Sequence, residues 1–308
     1  MHNPLNILEK IVDVSETGKP LSIEIIKDFR GQAQAILSVD RTELLDPLER
    51  ILVGECVHHA LETLFQTRLL GYLMPELYPV TMAQSHQKLA SKDLWYHTKM
   101  VTAQAKNDTI IRWAALLHDI AKPYTYFEDS HTGEVHFYQH EHMGAMLASS
   151  VLSRLQVSFT VRRAVAGLIS MHQRIADVVS RKNDPPVSMN ALRRLNRDCI
   201  KKNCKLEGLI ELFAADCTSG REHVRERQRI HAELLREATA RMRVEDAKPR
   251  LPKGTGDVLM SKYNLSPGPA VGRLMADLNK LLQSGEITDS SSIEEMLAKL
   301  EEITDEDI

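Results

Sequence analysis

The sequence predicts an all-α protein, a helical bundle with flanking N- and C-terminal helical segments. Two observations support this class. Apolar residues recur at spacings of three and four in most segments, which is the period of an amphipathic helix. Few stretches alternate apolar and polar residues, as half-buried strands do. Of the 308 residues, 43% are hydrophobic and 26% are charged, a composition typical of a globular protein with a proper core.

Seven segments show the helical period clearly. They are residues 24–37, 59–73, 109–121, 144–156, 161–172, 205–216 and 271–283. One segment, Tyr124 to His140, instead places aromatic residues on both sides of a polar Asp-Ser-His-Thr-Gly turn and predicts a short hairpin. Proline and glycine interrupt the helical pattern near residues 78–89, 180–188 and 247–257.

We expect three regions along the chain: an N-terminal helical region (1–90), a central domain (91–220) and a C-terminal helical region with an acidic tail (221–308). The first 44 residues read as two helices of unassigned role.

The composition of the chain bears on its cellular location. No stretch approaches the roughly 18 apolar residues of a membrane span, and the first residues lack the basic-then-apolar layout of a signal peptide. The cysteines form no CxxC pair and no regular framework, so we expect reduced thiols. The sequence therefore predicts a cytoplasmic protein with no membrane partner and leaves its oligomeric state open.

The charge is unevenly distributed. Residues 181–253 contain 18 Lys and Arg against 11 Asp and Glu, a balance of +7, and residues 284–308 contain one Lys against nine acidic residues, a balance of −8. The basic region is either a solvated helix face or a stripe that faces phosphate. The acidic end is interpreted as a solubilising tail.

Imidazole and carboxylate groups occur at predicted helix ends or on apolar faces at six positions. They are His97, His118, Asp119, His140, His172 and Asp216. In "LLHDIAKP" the adjacent His118 and Asp119 close an apolar helix. This pair has two readings, a histidine satisfied structurally by its own aspartate or part of a metal site. The other histidines, such as His142, are interpreted as surface or packing residues.

A metal reading is chemically coherent. Imidazole and carboxylate ligands suit one or two divalent transition-metal ions (Fe, Mn, Ni, Co or Zn) better than Mg. Neighbouring helix residues diverge by about 100°, so Asp119 could bridge two ions. Two ions roughly 3.5–4 Å apart can clamp a phosphoryl group, and Lys122 would direct a positive charge at the same region.

The pattern "HT…LLHDIAKP…FYQHEHMGA…H…AD" resembles the HD superfamily of metal-dependent phosphohydrolases. More narrowly, it resembles the HD-domain half of bacterial CCA-adding tRNA nucleotidyltransferases. Residues 49–77 look like that family's helical neck, with some residues missing inside it, and residues 253–288 are similar to its C-terminal segment. The Gly-Ser motif and paired carboxylates of the family's polymerase head are not found in residues 1–90, so we do not expect CCA addition.

The resemblance implies roles for individual residues. His97, His118, Asp119 and Asp216 match the superfamily's metal ligands, and His140 and His172 match the two histidines that two-metal members add. Asp119 and Lys122 would be the catalytic residues. Lys122 would also bind substrate, together with arginines of neighbouring helices. These arginines are Arg162, Arg163 and Arg194.

Three functions remain open at this point. The first is a phosphohydrolase of nucleotides or RNA 3′ ends, with 2′,3′-cyclic phosphodiesterase, 2′-nucleotidase or phosphatase activity implied by the resemblance. The second is a tRNA- or RNA-binding module with weak or no hydrolysis. The third, hydrolysis of small signalling or dinucleotide phosphates, uses the same site chemistry with a different pocket.

Overall fold

The computed structural model describes residues 4–82, 93–179, 187–218 and 221–306. These ranges contain sixteen α-helices and one two-stranded antiparallel sheet. The prediction of an all-α fold is therefore confirmed. The sheet is the predicted hairpin: β1 (Tyr126–Glu128) pairs with β2 (Val135–Phe137), with Phe127 opposite His136.

The chain divides into two compact units, Met1–Ala240 and Arg241–Ile308. The sequence-based division into three regions stays a prediction. The first unit begins with eight helices: α1 (Pro4–Thr17), α2 (Ile23–Gln32), α3 (Arg41–Val53), α4 (Val57–Gln66), α5 (Leu69–Leu73), α6 (Tyr78–Met82), α7 (Leu94–Gln104) and α8 (Thr109–Leu117). After the hairpin come α9 (His140–Arg154), α10 (Phe159–Met171), α11 (Met189–Lys201), α12 (Leu206–Ala215) and α13 (Glu222–Ala247), whose last seven residues belong to the second unit.

The C-terminal unit holds α14 (Thr255–Lys262), α15 (Pro269–Ser284) and α16 (Ile293–Glu306). Its own core consists of leucine, isoleucine and methionine side chains from these helices and the intervening turn, for example Leu259, Leu278 and Leu300. Apolar side chains at helical spacing are thus buried between helices, as the period of the sequence predicts.

The α9–α10 pair and the helices behind it matter most for the site. A connection of four residues joins α9 to α10, so the two helices pack as an antiparallel pair. α10 also packs on α8, and α8 packs on α7 and α12. Gly144 permits this arrangement, since a Cβ there would lie 3.3 Å from Ile169 and 3.5 Å from the His118 carbonyl oxygen.

Near Arg68 the helix boundaries differ clearly from the prediction. The apolar pattern over residues 59–73 predicts one helix, but α4 ends at Gln66 and α5 begins at Leu69. Arg68, between them, has φ 65°, and the buried Thr67 hydroxyl donates to the Thr63 carbonyl. The left-handed residue redirects the chain so that the leucines of α5 are buried.

Two further expectations can be compared with the structure. The cysteines, Cys56, Cys199, Cys204 and Cys217, are all free thiols. Within the described ranges, no helix combines the length and apolar content that crossing a bilayer requires.

Candidate metal centre

Six side chains from five helices of the first unit converge at one place. His97 lies inside α7, and His140 is the first residue of α9. His118, His172 and Asp216 are the C-terminal caps of α8, α10 and α12. Asp119 follows His118 directly. The residues predicted from the sequence are therefore together, and most of them are delivered by helix ends.

The first group of potential ligands contains His97, His118 and Asp119, all buried. The His97 Nε2 lies 3.3 Å from the His118 Nε2 and 3.4 Å from the Asp119 Oδ2. Asp216, whose side chain is 31% exposed, closes the same group with its Oδ1 3.2 Å from the His97 Nε2. Two imidazoles and two carboxylates thus face one point.

The second group contains Asp119, His140 and His172, also all buried. The Nε2 atoms of His140 and His172 lie 3.3 Å apart, and the His140 Nε2 lies 3.6 Å from the Asp119 Oδ1. Asp119 belongs to both groups through different oxygens. In this position Asp119 would be a ligand to both ions if both groups held one.

The four imidazoles are oriented in the same way. The Nδ1 atoms of His118, His140 and His172 lie 2.7–2.8 Å from the carbonyl oxygens of Ala115, Phe137 and Ile169. Because a carbonyl only accepts, each Nδ1 carries the proton and donates it. The His97 Nδ1 lies 2.8 Å from the Thr218 hydroxyl. In their neutral form, the three carbonyl-bound rings have Nε2 as the lone-pair donor, the usual orientation of metal-binding histidines.

This geometry fits divalent cations. The Nε2 lone pairs of His140 and His172, 3.3 Å apart, repel one another, as do the carboxylates of the cluster, unless a positive charge lies between them. The buried Asp119 Oδ1 has no hydrogen-bond partner among the described residues, which is costly for a carboxylate oxygen. Imidazole nitrogens and carboxylate oxygens are the ligand set of first-row transition metals.

The electrostatics of the cluster point the same way. Burial opposes charge on His118, but Asp119 and Asp216 outweigh it and raise the pKa of His118 to about 10. Burial would raise the pKa of Asp119, but His118 and Lys122 hold it well below its usual range. Burial, reinforced by His118, lowers the pKa of His172 to about 4. The carboxylates therefore stay ionised and favour positive charge in their midst.

The side chain of Lys122 contacts the cluster at Asp119. Its Nζ lies 2.6 Å from the Asp119 Oδ2 and 5.6 Å from the centre of the Phe137 ring. Its side chain is 24% exposed, so the ammonium group is at the edge of the cluster and not within it. The ammonium group of Lys122 therefore neutralises Asp119 and is also accessible to solvent.

Two polar neighbours of the cluster were not predicted. Thr218 holds the His97 Nδ1, and the Gln173 amide nitrogen lies 3.3 Å from the His140 Nε2. Gln173 follows the predicted ligand His172 directly, and Thr218 comes two residues after Asp216. That adjacency is the only signal in the sequence, because both contacts depend on how the loops after α10 and α12 fold.

The predicted arginine contacts lie elsewhere. Arg162 and Arg163 line a groove along α9 and α10, and Arg194 is exposed on α11. None of the three forms a hydrogen bond or ion pair with the six clustered side chains among the described residues. Their assignment to the substrate of the cluster stays a prediction.

Comparison with known proteins finds a family model that matches this region. Residues 78–216 match the family model of the HD domain, which implies metal-dependent phosphohydrolase chemistry at the level of the class. The chain is 28% identical over 191 residues to the A-adding tRNA nucleotidyltransferase of Deinococcus radiodurans, covering 61% of this chain and 41% of that protein. It is 27% identical over 256 residues to the CC-adding tRNA nucleotidyltransferase of Thermus thermophilus, covering 80% of this chain and 54% of that protein. The chain thus spans about half the length of the curated relatives it matches.

Proposed function

Because the chain contains an HD domain and resembles the C-terminal half of tRNA nucleotidyltransferases, we propose that it is a metal-dependent phosphohydrolase. Its substrates are phosphate esters of nucleotides or of RNA 3′ ends, hydrolysed as a 2′,3′-cyclic phosphodiesterase or 2′-nucleotidase. The observation that carries the proposal is the pair of buried ligand groups that share Asp119.

The chain's own residues have defined tasks in this proposal. His97, His118, Asp119 and Asp216 would hold one divalent ion, and Asp119, His140 and His172 a second. Such ions, when bound, supply Lewis acidity toward a phosphoryl oxygen and lower the pKa of water. The carbonyl and hydroxyl partners of the Nδ1 atoms fix the four rings, so little reorganisation is needed during the reaction.

Lys122 contributes charge without being a ligand. Its ammonium group at the edge of the cluster would face the non-bridging oxygens of a phosphate, on which negative charge develops during hydrolysis. The ion pair with Asp119 holds this group in place before the substrate arrives. Lys122 is therefore proposed as the catalytic electrostatic residue, together with Asp119, the side chain common to both ligand groups.

Exposed aromatic side chains on the hairpin that precedes His140 favour a nucleotide over a simple phosphate ester. Tyr138, two residues before His140, is 62% exposed and stacks on His136 with ring centres 5.2 Å apart. Phe127, also exposed, lies 5.8 Å from Tyr138 across the hairpin. Exposed π faces of this kind stack on bases without regard to sequence.

The test is hydrolysis of 2′,3′-cyclic AMP by metal-free protein supplied in turn with Mn, Ni, Co, Fe(II), Zn and Mg. The Asp119→Asn variant keeps the shape of the side chain but lacks the charge, and we expect it to lose both bound metal and turnover. His142→Ala is the matched control, because His142 is exposed and two residues from His140. Retained metal and turnover in Asp119→Asn would refute the assignment, as would inertness of the wild type toward cyclic and simple phosphate esters alike.

A second candidate is an RNA-binding module. Two observations favour it: the curated relatives act on tRNA, and Arg162 and Arg163 line a groove separate from the clustered ligands. Binding of RNA and hydrolysis of phosphate esters are compatible in one chain.

A further inference from the structure

A groove of about 790 Å³ runs along the outer side of the α9–α10 pair and ends at the C-terminus of α11. We call it the α9–α10 groove. It is lined by the Ser149 and Ser153 hydroxyls of α9, by Arg162 and Arg163 of α10, and by Lys201 and Lys202 of α11. We propose that this groove binds the sugar–phosphate backbone of a single-stranded nucleic acid, separately from the metal centre.

The charge of the groove is one-sided. Four cationic side chains line it, and no carboxylate does among the described residues. Asp198 lies 3.9 Å from the Lys201 Nζ, at the limit of an ion pair. Arg162, Arg163 and Lys202 have no carboxylate partner within the described part of the chain, in contrast to the arginines of α13, such as Arg229 and Arg236. Uncompensated cations in a concave surface attract phosphate.

The guanidinium group of Arg162 also lacks a hydrogen-bond acceptor for one of its N–H groups. The Arg162 Nε is buried and makes no hydrogen bond within the described residues. A buried guanidinium N–H without an acceptor costs free energy, and the acceptor that a guanidinium fork best matches is a phosphate or carboxylate. A ligand that supplies phosphate oxygens would satisfy it.

The groove is built by close packing. A Cβ on Gly167 would lie 2.3 Å from the Lys202 carbonyl oxygen and 3.0 Å from the Cys204 Cβ. Only glycine at this position therefore lets the end of α11 approach α10 so closely. This approach places the Lys201 and Lys202 backbone against the same helix that carries the two arginines, so two pairs of cations share one surface.

The length of the groove favours a strand over one phosphate. Its lining on α9 extends from Ala145 to Ser153, about 12 Å at 1.5 Å per residue. Phe159, beside the arginines, is 63% exposed, and the Arg162 and Arg163 guanidinium carbons lie 5.7 and 5.4 Å from its ring centre. A basic groove next to an exposed aromatic ring is the recurring design of single-strand binding, in which bases stack while the backbone follows the charges.

The experiment is fluorescence anisotropy with a labelled 12-nucleotide single-stranded RNA in EDTA, over a series of salt concentrations. We compare wild type, Arg162→Gln/Arg163→Gln and Lys201→Gln/Lys202→Gln. The control, Lys27→Gln/Lys106→Gln, removes the same charge from exposed lysines outside the groove. We expect each groove pair to weaken binding at least about tenfold and to reduce the slope of log K against log salt by about 1.4, and the control to change neither much. Thermal melting verifies that every variant folds.

Three outcomes would overturn the proposal. The first is an equal loss of RNA affinity in the groove and control variants. The second is tighter binding of a 12-base-pair duplex than of the single strand, with the same sensitivity to the groove substitutions. The third is complete displacement of RNA by millimolar AMP, which would indicate a mononucleotide pocket. Phe159→Ala should weaken binding without changing the salt slope. The Asp119→Asn variant separates this proposal from the proposed hydrolysis: RNA binding should persist there although turnover is lost.

Discussion

His140 and His172 are 32 residues apart in the chain, yet their Nε2 atoms lie 3.3 Å from each other. Each ring donates its Nδ1–H to a carbonyl three residues earlier, from Phe137 and Ile169 respectively. Neither Nε2 can donate to the other, so a cation between them would relieve the repulsion of their lone pairs.

The two ligand groups predict separable metal stoichiometry. His172→Ala removes a ligand from the second group only, so bound metal should fall from about two ions per chain to about one. Asp119→Ala removes the shared ligand, so both ions should be lost. Elemental analysis after exhaustive dialysis measures both values. Equal metal loss in the two variants would argue against two separable sites.

Lys122 should affect turnover more than metal binding. Lys122→Met leaves every ligand in place, and Asp119, freed of its ion pair, remains available to a cation. We expect kcat for 2′,3′-cyclic AMP to fall by about 10²-fold or more with metal content retained. Lys122→Arg, which keeps the charge, should restore part of kcat. A Lys122→Met enzyme with unchanged kcat would show that the lysine only neutralises Asp119.

Arg112 is a buried structural cation remote from the cluster's ligands. Its guanidinium donates to the carbonyl oxygens of Leu52 and Ala105 at 2.9 and 3.0 Å, and thereby caps the ends of α3 and α7. Burial lowers its pKa. Arg112→Met should destabilise the protein by about 2–4 kcal/mol, because buried carbonyls lose their donor. Urea denaturation measures this, with the exposed Arg197→Met expected to change stability by less than about 0.5 kcal/mol.

Replacement by alanine should change the free energy of unfolding in opposite directions at two helical glycines, Gly167 and Gly272. Gly167→Ala would force the Lys202 carbonyl away from α10, and we expect a loss of about 1–3 kcal/mol. A Cβ on Gly272, inside α15, would meet no neighbouring atom within 4 Å, so Gly272→Ala should stabilise the C-terminal unit by about 0.5–1 kcal/mol. The denaturation midpoint of each variant, compared with that of the wild type, shows whether the substitution stabilises or destabilises the protein. Similar stability of Gly167→Ala and the wild type would mean that the end of α11 moves freely.

The Glu76–Arg154 ion pair predicts a pH-dependent contribution to stability. Both guanidinium NH groups lie 2.6 Å from the carboxylate oxygens. Burial would raise the pKa of Glu76, but the hydrogen bonds and charge of Arg154 outweigh it and lower the pKa below the ordinary 4.5. A depressed carboxyl pKa stabilises the fold above the unfolded-state pKa, and this contribution is lost as the pH falls through the folded-state value.

Wild type should therefore exceed Glu76→Gln in free energy of unfolding by about 1 kcal/mol at pH 7, a value typical of partly exposed pairs. The difference should shrink steadily as the pH falls below 4.5. Urea melts of both proteins at several pH values measure it. The exposed pair Lys10–Asp13 provides the control variant Asp13→Asn, for which we expect a smaller difference at every pH.

The placement of His118 and His172 at helix ends could be predicted because it depends only on neighbouring residues. An apolar period of 3.6 residues that stops at His118 or His172 places an imidazole at a helix end, and the structure has both as C-terminal caps. The hairpin before His140 was predicted from its turn residues in the same way. The break between α4 and α5 at Arg68 was not predicted, because a single residue with positive φ leaves the apolar pattern of the sequence unchanged.

The sequence by itself determined the all-α class, the helices that carry five of the six clustered side chains and the order in which His97, His118, Asp119, His140, His172 and Asp216 occur. These features follow from hydrophobic periodicity and side-chain chemistry, which depend only on residues close together in the chain. Only the tertiary structure decided that Asp119 uses both oxygens in different ligand groups, that Thr218 fixes His97, and that Arg162 and Arg163 line a groove away from the cluster. Those relationships depend on how α7, α8, α9, α10 and α12 pack, and packing distances between residues far apart in the chain have no local signature.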